Sequence, residues 1–139
     1  MTAPIQVNKP NKVVLACLDG RRLKGYVSNF SPMRDRCRLF PAENSPHDAG
    51  TDVELKSLKA IFFVRDFAGN REHHDAYDLT IRSHGRKIEV TFQDGEKIAG
   101  TTEGYNPQKL GFFLFPSDAE SNNVRAFIIN SSLQEVKFP

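Results

Sequence analysis

Two stretches of the chain decide its fold, because one is a diverged copy of the other. They are KVVLACLDGRRLKGYVSNFSPMRDRCRLFP, residues 12–41, and KIEVTFQDGEKIAGTTEGYNPQKLGFFLFP, residues 87–116. They align without a gap at an offset of 75, with identical residues at Lys12, Asp19, Gly20, Gly25, Pro32, Leu39, Phe40 and Pro41. Further on, the same offset places Val53, Ser57, Leu58, Ile61 and Phe63 on Ile128, Ser132, Leu133, Val136 and Phe138. The pattern predicts a tandem duplication.

Within each copy the apolar residues alternate with polar ones, which predicts half-buried strands rather than helices. Asp19-Gly20 and Asp94-Gly95 separate two such runs, and Asp-Gly at that place favours a tight hairpin turn. Gly25 and Gly100, inside the second strand, indicate bends or bulges. We therefore predict an all-β protein made of two tandem five-stranded barrels, SH3-like or Sm-like in type.

The offset also divides the chain. We predict a tail at 1–11, a first barrel at 12–64, a linker at 65–85 with a short strand around Tyr77, Leu79 and Ile81, and a second barrel at 86–139. The strands that follow the two hairpins are predicted at 36–41, 52–55, 59–64, 111–116, 124–129 and 134–138.

Composition narrows the class of protein. With 139 residues, 39% hydrophobic and 26% charged, the chain has the make-up of a globular domain rather than a disordered segment. Nineteen basic residues against seventeen acidic ones are too balanced to indicate a nucleic-acid protein from charge alone. No run is long and apolar enough for a membrane span or a signal core, so we expect a cytoplasmic protein without a membrane partner.

The two copies differ on one face of their first strand. Glu89, Thr91 and Gln93 in the second copy correspond to Val14, Ala16 and Leu18 in the first, whose strand is therefore apolar on both faces. We expect the second barrel or the linker to cover that face, with self-association as the alternative.

The residues that could react or bind a metal have simpler explanations. Cys17 and Cys37 fall on Phe92 and Phe112 of the other copy, so we expect two buried, reduced thiols. His73, His74, Asp75, Asp78 and His84, with His47 earlier in the chain, lack the spacing of metal ligands and are interpreted as solvated loop residues. We predict no metal, no cofactor, no catalytic residue and no enzymatic activity.

A stripe of arginines is the first candidate binding feature. Arg34, Arg36 and Arg38 alternate and would project from one face, where guanidinium groups can hold a phosphate or a carboxylate. Tyr26 and Phe30 lie close by in the sequence, either as stacking surfaces or as core residues.

Other residues that break the internal symmetry complete the candidate site. These are Arg65 in the linker, and Asn122, Asn123 and Arg125 near the end of the second copy. If they meet at the junction of the barrels, they form a polar, basic cleft. A solvated surface is the alternative.

Three resemblances accompany these patterns. The run DGRRLKG at 19–25 resembles the first motif of the Sm-like fold, and Arg34 with Arg38 resembles the Arg-x-x-x-Arg half of the PilZ signature for cyclic di-GMP. Residues 58–70 and 111–127 are similar to a bacterial family of tandem-barrel proteins of unknown function. That last resemblance covers nearly the whole chain and implies the fold and a bacterial origin.

We therefore expect a non-enzymatic bacterial binding or adaptor module with a protein partner. The alternative is a sensor that binds a nucleotide of the cyclic di-GMP kind, or RNA, through a basic groove. The oligomeric state is left open.

Overall fold

The structure is a computed structural model that describes residues 10–28, 30–68, 85–118 and 121–139. Within these ranges the chain forms ten β-strands and three short 3-10 turns, and no α-helix. The first half contains β1 (Asn11–Cys17), β2 (Arg22–Val27), β3 (Arg36–Leu39), β4 (Thr51–Glu54) and β5 (Leu58–Val64). The second half contains β6 (Arg86–Phe92), β7 (Lys97–Thr102), β8 (Gly111–Pro116), β9 (Asn123–Ile129) and β10 (Leu133–Lys137). The predicted all-β class is confirmed, and the strands predicted after the hairpins lie within two residues of the observed ones.

Both predicted hairpin turns are present. Gly20 and Gly95 each have φ of 92°, a left-handed conformation that glycine adopts without steric cost. The aspartate before each glycine accepts a hydrogen bond from the backbone two residues on, with N–O distances of 3.0 Å from Arg21 to Asp19 and from Glu96 to Asp94. Local side-chain chemistry therefore determines where β1 turns into β2 and where β6 turns into β7.

The strands of each half follow the same spatial order. In the first half β1 pairs with β2 and β5, β3 pairs with β4, and a single bridge between Tyr26 and Phe40 joins β2 to β3. In the second half β6 pairs with β7 and β10, β8 pairs with β9, and the pair of Thr101 with Phe115 joins β7 to β8. The two joining pairs differ in number by 75, the offset at which the two stretches of sequence align.

The glycines inside β2 and β7 allow the next strand to approach closely and do not form a bulge. The pairing of each strand with its hairpin partner runs through the glycine without a register shift. A Cβ at Gly25 would lie 2.6 Å from the carbonyl oxygen of Phe40, and one at Gly100 would collide with the carbonyl oxygen of Phe115. Only glycine therefore lets the next strand cross at this distance.

The two halves are joined by a strand pair that the sequence did not predict. β5 pairs antiparallel with β9 from Ala60 opposite Ile128 to Val64 opposite Asn123. The result is one eight-stranded sheet in the order β10-β6-β7-β8-β9-β5-β1-β2, with β3 and β4 as a separate hairpin. In the described part of the chain the sheet stays open and does not close into a barrel.

Each face of this sheet covers a core that both halves build. One core combines Val14, Ala16 and Phe62 of the first half with Ile88, Val90, Phe92 and Leu114 of the second. The other combines Val13, Leu15 and Phe63 with Phe127 and Ile129. All seven residues of β5 are buried, because one face of this strand packs in the first core and the other face packs in the second.

The apolar outer face of β1 is thereby explained. Val14 and Ala16 pack in the core of the second half, so the expected cover is confirmed for them. Leu18 was grouped with them in the prediction, but it is 56% exposed because it lies in the turn beyond the strand. The prediction was wrong for Leu18.

The predicted burial of the two thiols is confirmed. Cys17 and Cys37 are free and buried in the core of the first half. Burial, followed by the negative charge of Asp52, raises the pKa of Cys37 to about 11. Residues 69–84 lie outside the described ranges, and with them the predicted linker strand and all the candidate metal ligands except His47, which is exposed.

Candidate ligand-binding cleft

A cleft of about 450 Å³ opens on one face of the sheet, between β2 of the first half and β7 of the second. Its floor is apolar and comes from both halves: Val14 and Phe62 from the first, Ala126 and Ile98 from the second. Val14, Phe62 and Ala126 also belong to the shared core. The volume falls within the range usual for ligand sites, and the floor is rigid because it is part of the central sheet.

Three cationic side chains line the walls of the cleft. Arg22 and Lys24 come from β2, and Lys97 comes from β7. Arg22 and Lys97 are separated by 75, so they hold equivalent places after the two Asp-Gly turns. Lys24 donates a hydrogen bond of 3.1 Å to the carbonyl oxygen of Phe67. Within the described ranges, Arg22 and Lys97 have no acceptor of that kind, so their charges are available to a ligand.

A carboxylate that lines the cleft is already engaged by a lysine. Glu96 and Asp118 also line it. Glu96 forms an ion pair with Lys59, as does Asp94 at 2.7 Å. Because Lys59 neutralises Glu96, the cleft is more positive than a count of its charged side chains indicates.

Lys59 is a buried cation that connects the two halves at this site. Its side chain is only 9% exposed, and its ammonium lies 4.5 Å from the ring centroid of Phe92. The hydrogen bond from Lys59 lowers the pKa of Asp94, with a smaller contribution from the backbone N–H of Glu96. The hydroxyl of Ser132 donates to the carbonyl oxygen of Lys59 at 2.9 Å. A charge in this position is tolerated because carboxylates neutralise it.

The strand β7 presents an open edge beside the cleft. β7 pairs with β8 at Gly100 and Thr101, and Ala99 accepts one further bond from Ser117 at 3.2 Å. Along the described residues, Lys97 has no strand partner on that side, to which its backbone points as that of Ala99 does two residues on. Unpaired backbone at a strand edge is a template for another extended chain.

One end of the cleft is closed by residues that the sequence analysis selected. Asn122 and Asn123 line it. The backbone N–H of Arg65 donates to the carbonyl oxygen of Asn122 at 2.9 Å, and the side-chain amide of Asn122 donates to the carbonyl oxygen of Asp66 at 2.8 Å. The backbone N–H of Asp66 in turn donates to the Oδ1 of Asn122 at 3.1 Å. The structure thus brings Arg65, Asn122 and Asn123 together at the junction.

The arginine stripe does not join them. On the β3–β4 hairpin Arg36 lies opposite Glu54 and Arg38 lies opposite Asp52, at ion-pair distances of 3.0 and 3.2 Å. Arg38 also donates to the carbonyl oxygen of His47 at 3.2 Å. With Arg34, these arginines line a separate groove. The strand register pairs two of the three with carboxylates, and only the fold reveals that register.

Arg125 lies on the opposite face of the sheet from the cleft. Its guanidinium carbon is 4.3 Å from the ring centroid of Phe63 and 4.6 Å from that of Phe113. Burial lowers the pKa of Arg125, although a guanidinium stays charged at neutral pH. The predicted candidate residues therefore lie in three places: Arg65, Asn122 and Asn123 at the cleft, the arginine stripe on the hairpin, and Arg125 on the far face.

Sequence reasoning missed Arg22, Lys24 and Lys97. A signal was available, since Arg22 and Lys97 are basic at the same place in both copies, directly after the turn. The sequence does not show which face of β2 meets the other half.

This architecture defines an all-β protein with a shared central sheet and an inter-half cleft. The chain belongs to the family of unknown function DUF6982, whose model matches residues 9–138. No curated protein and no solved structure matches it. In the described ranges, no three histidine, cysteine or acidic residues are grouped as metal ligands. None of the described segments forms a helix suited to crossing a membrane.

Proposed function

We propose that this protein is a non-catalytic binding module that holds an extended, acidic segment of a partner protein in the inter-half cleft. The observation that carries the proposal is the open edge of β7 at Lys97, beside an apolar floor that includes Ile98. A segment that pairs with this edge would gain main-chain hydrogen bonds, and its alternate side chains would face the floor.

Charge favours an acidic segment. Arg22 and Lys97 stand on opposite walls of the cleft, while Glu96, which also lines it, is engaged by Lys59. Carboxylates on the bound segment would therefore meet cations and few competing anions. Asn122 and Asn123 add amide groups at one end.

The alternative of a nucleotide or RNA held by the arginine stripe has less support. Arg36 and Arg38 are each paired with a carboxylate, which a phosphate would have to displace. Arg34 by itself would supply a single cation to such a ligand.

We also propose that the two halves arose by duplication of an SH3-like or Sm-like unit. The matching strand order of the halves supports this, as do the equivalent 3-10 turns at Leu55–Ser57 and Asn130–Ser132. A bacterial cytoplasm as the place of action stays a prediction.

The binding proposal can be tested with peptides selected from a random library displayed on phage. Selection should enrich segments with alternating apolar and acidic residues. Their affinity, measured by fluorescence anisotropy, should fall about tenfold or more in the double variant Arg22→Gln, Lys97→Gln. Amide hydrogen exchange at Lys97 should slow when the peptide is bound.

The matched control is the double variant Lys56→Gln, Lys87→Gln, which removes the same charge from exposed positions outside the cleft. It should leave affinity within about twofold. Equal losses in both double variants would indicate a non-specific charge effect and would refute the cleft. Selected peptides that bind without protecting the Lys97 amide would refute strand addition.

A further inference from the structure

The face of the sheet opposite the cleft has a second groove, which the proposed function does not use. Its volume is about 320 Å³, and its lining includes Met33, Phe113, Phe115 and Phe127, with Lys109 among them. Phe113 and Phe127 pack against the core under this face, so the base of the groove is well ordered by its neighbours.

Large apolar side chains remain open to solvent here. Met33 is 80% exposed and Phe115 is 39% exposed. Gly111 also lines the groove, and a Cβ there would lie 2.8 Å from the Phe127 ring. The absence of a side chain at residue 111 leaves room for that ring. A flexible methionine that lines the same groove as aromatic rings is suited to contacting a flat ligand.

Arg125 lies beside the groove and contacts Phe113, which lines it. Its guanidinium packs on the rings of Phe63 and Phe113. Among the described residues it has no carboxylate or carbonyl acceptor, so its N–H donors are free to bind a ligand. A guanidinium whose plane rests on aromatic rings is held in place without a salt bridge.

Further positive charge surrounds the groove. Lys109 lines it, and Arg34 follows Met33 in the loop between β2 and β3. In the described part of the chain neither side chain has an ion-pair partner. Glu103 is the acidic residue among those lining the groove. The surroundings therefore favour a ligand with a negative charge.

We propose that this groove binds a nucleotide, with the base against Phe113, Phe115 and Met33, the phosphate toward Lys109, and the Arg125 guanidinium beside the base at Phe113. Aromatic rings accept any base by stacking, and neighbouring cations hold the phosphate. The volume fits a single nucleotide rather than a large cofactor. Such a ligand is either a free nucleotide or one nucleotide of a single strand, and both present the same ring and charge. This binding is independent of the partner-protein cleft.

The test uses two probes on the full chain. AMP is titrated by calorimetry, and a labelled oligothymidylate about twelve nucleotides long is titrated by anisotropy, at about 50 and about 200 mM NaCl. Phe115→Ala and Lys109→Gln should each weaken binding about tenfold, and the second variant should also reduce the salt dependence. Arg125→Lys keeps the charge but loses the flat donor group, and it should weaken binding as well.

Lys137→Gln is the matched control, since Lys137 is an exposed lysine outside the groove, and it should leave both titrations unchanged. Binding of AMP assigns the groove to free nucleotides, whereas binding of the oligonucleotide alone assigns it to single strands. No binding of either probe at millimolar concentration overturns the proposal, as does binding that survives both Phe115→Ala and Lys109→Gln. A melting temperature of Phe115→Ala close to that of the parent shows that loss of binding is not loss of folding. Peptide binding in the cleft is measured in parallel, so either site can fail without the other.

Discussion

The shared core predicts that the two halves unfold together, and Phe62→Ala tests this directly. Phe62 lies on β5 of the first half, but its ring is 5% exposed and packs in the core of the second half. Replacing a buried phenylalanine with alanine costs about 3–5 kcal/mol. Because the cleft beside Phe62 can partly collapse, we take the lower value of about 3 kcal/mol, which lowers the melting temperature by about 10 °C.

The assay is urea unfolding followed by far-UV circular dichroism and by NMR signals from each half. Amides of Leu15 in the first half and of Val90 in the second should lose their native signals at the same urea concentration, in the parent and in Phe62→Ala alike. The control is Phe115→Ala, the same change at a side chain that is 39% exposed, and it should cost about 1 kcal/mol or less. If Val90 keeps its native signal while Leu15 loses it, the halves are independent and the shared core is not what stabilises them.

Other predictions follow from single positions. Gly100→Ala should destabilise the protein by about 2 kcal/mol, because the new Cβ collides with the neighbouring strand. Gly104→Ala, which has open space around it, should change the free energy of unfolding by about 0.5 kcal/mol or less. Urea titration of both variants measures the difference. Cys37 should react slowly with a thiol reagent at neutral pH and rapidly in urea, since burial raises its pKa to about 11; equal rates would contradict its burial. The pKa of Asp94 is lowered in the folded protein, so Asp94 stabilises the fold above its ordinary pKa, and this stability is lost as the pH falls through the lowered pKa. In Lys59→Met, an NMR titration should show the pKa of Asp94 moving upward. An unchanged pKa would refute the ion pair.

The local elements of the fold follow from the sequence because they depend on neighbouring residues. Asp-Gly pairs specify the hairpins through backbone conformation, and the alternation in Ile88, Val90 and Phe92 specifies a strand with one buried face. The alignment at an offset of 75 then transfers each assignment from one half to the other, which is why the strand limits agree closely.

The candidate site was predicted only in part, because a site depends on which strands become neighbours. The junction of Arg65 with Asn122 and Asn123 was anticipated from broken internal symmetry. Arg36 and Arg38 carry the same sequence signal, but their register places carboxylates opposite them. Charge on a strand indicates a ligand site only when the facing strand leaves it unpaired.

By itself, the sequence determined the all-β class, the hairpin turns and the burial of Cys17 and Cys37, since period, turn residues and apolar pattern act over short range. The tertiary structure alone decided that β5 pairs with β9, and this pair creates the common sheet, the two shared cores and the cleft between the halves. The physical reason is that any strand edge offers the same backbone donors and acceptors. The choice of partner is made by burial of the apolar residues on both faces of β5, which no local pattern records.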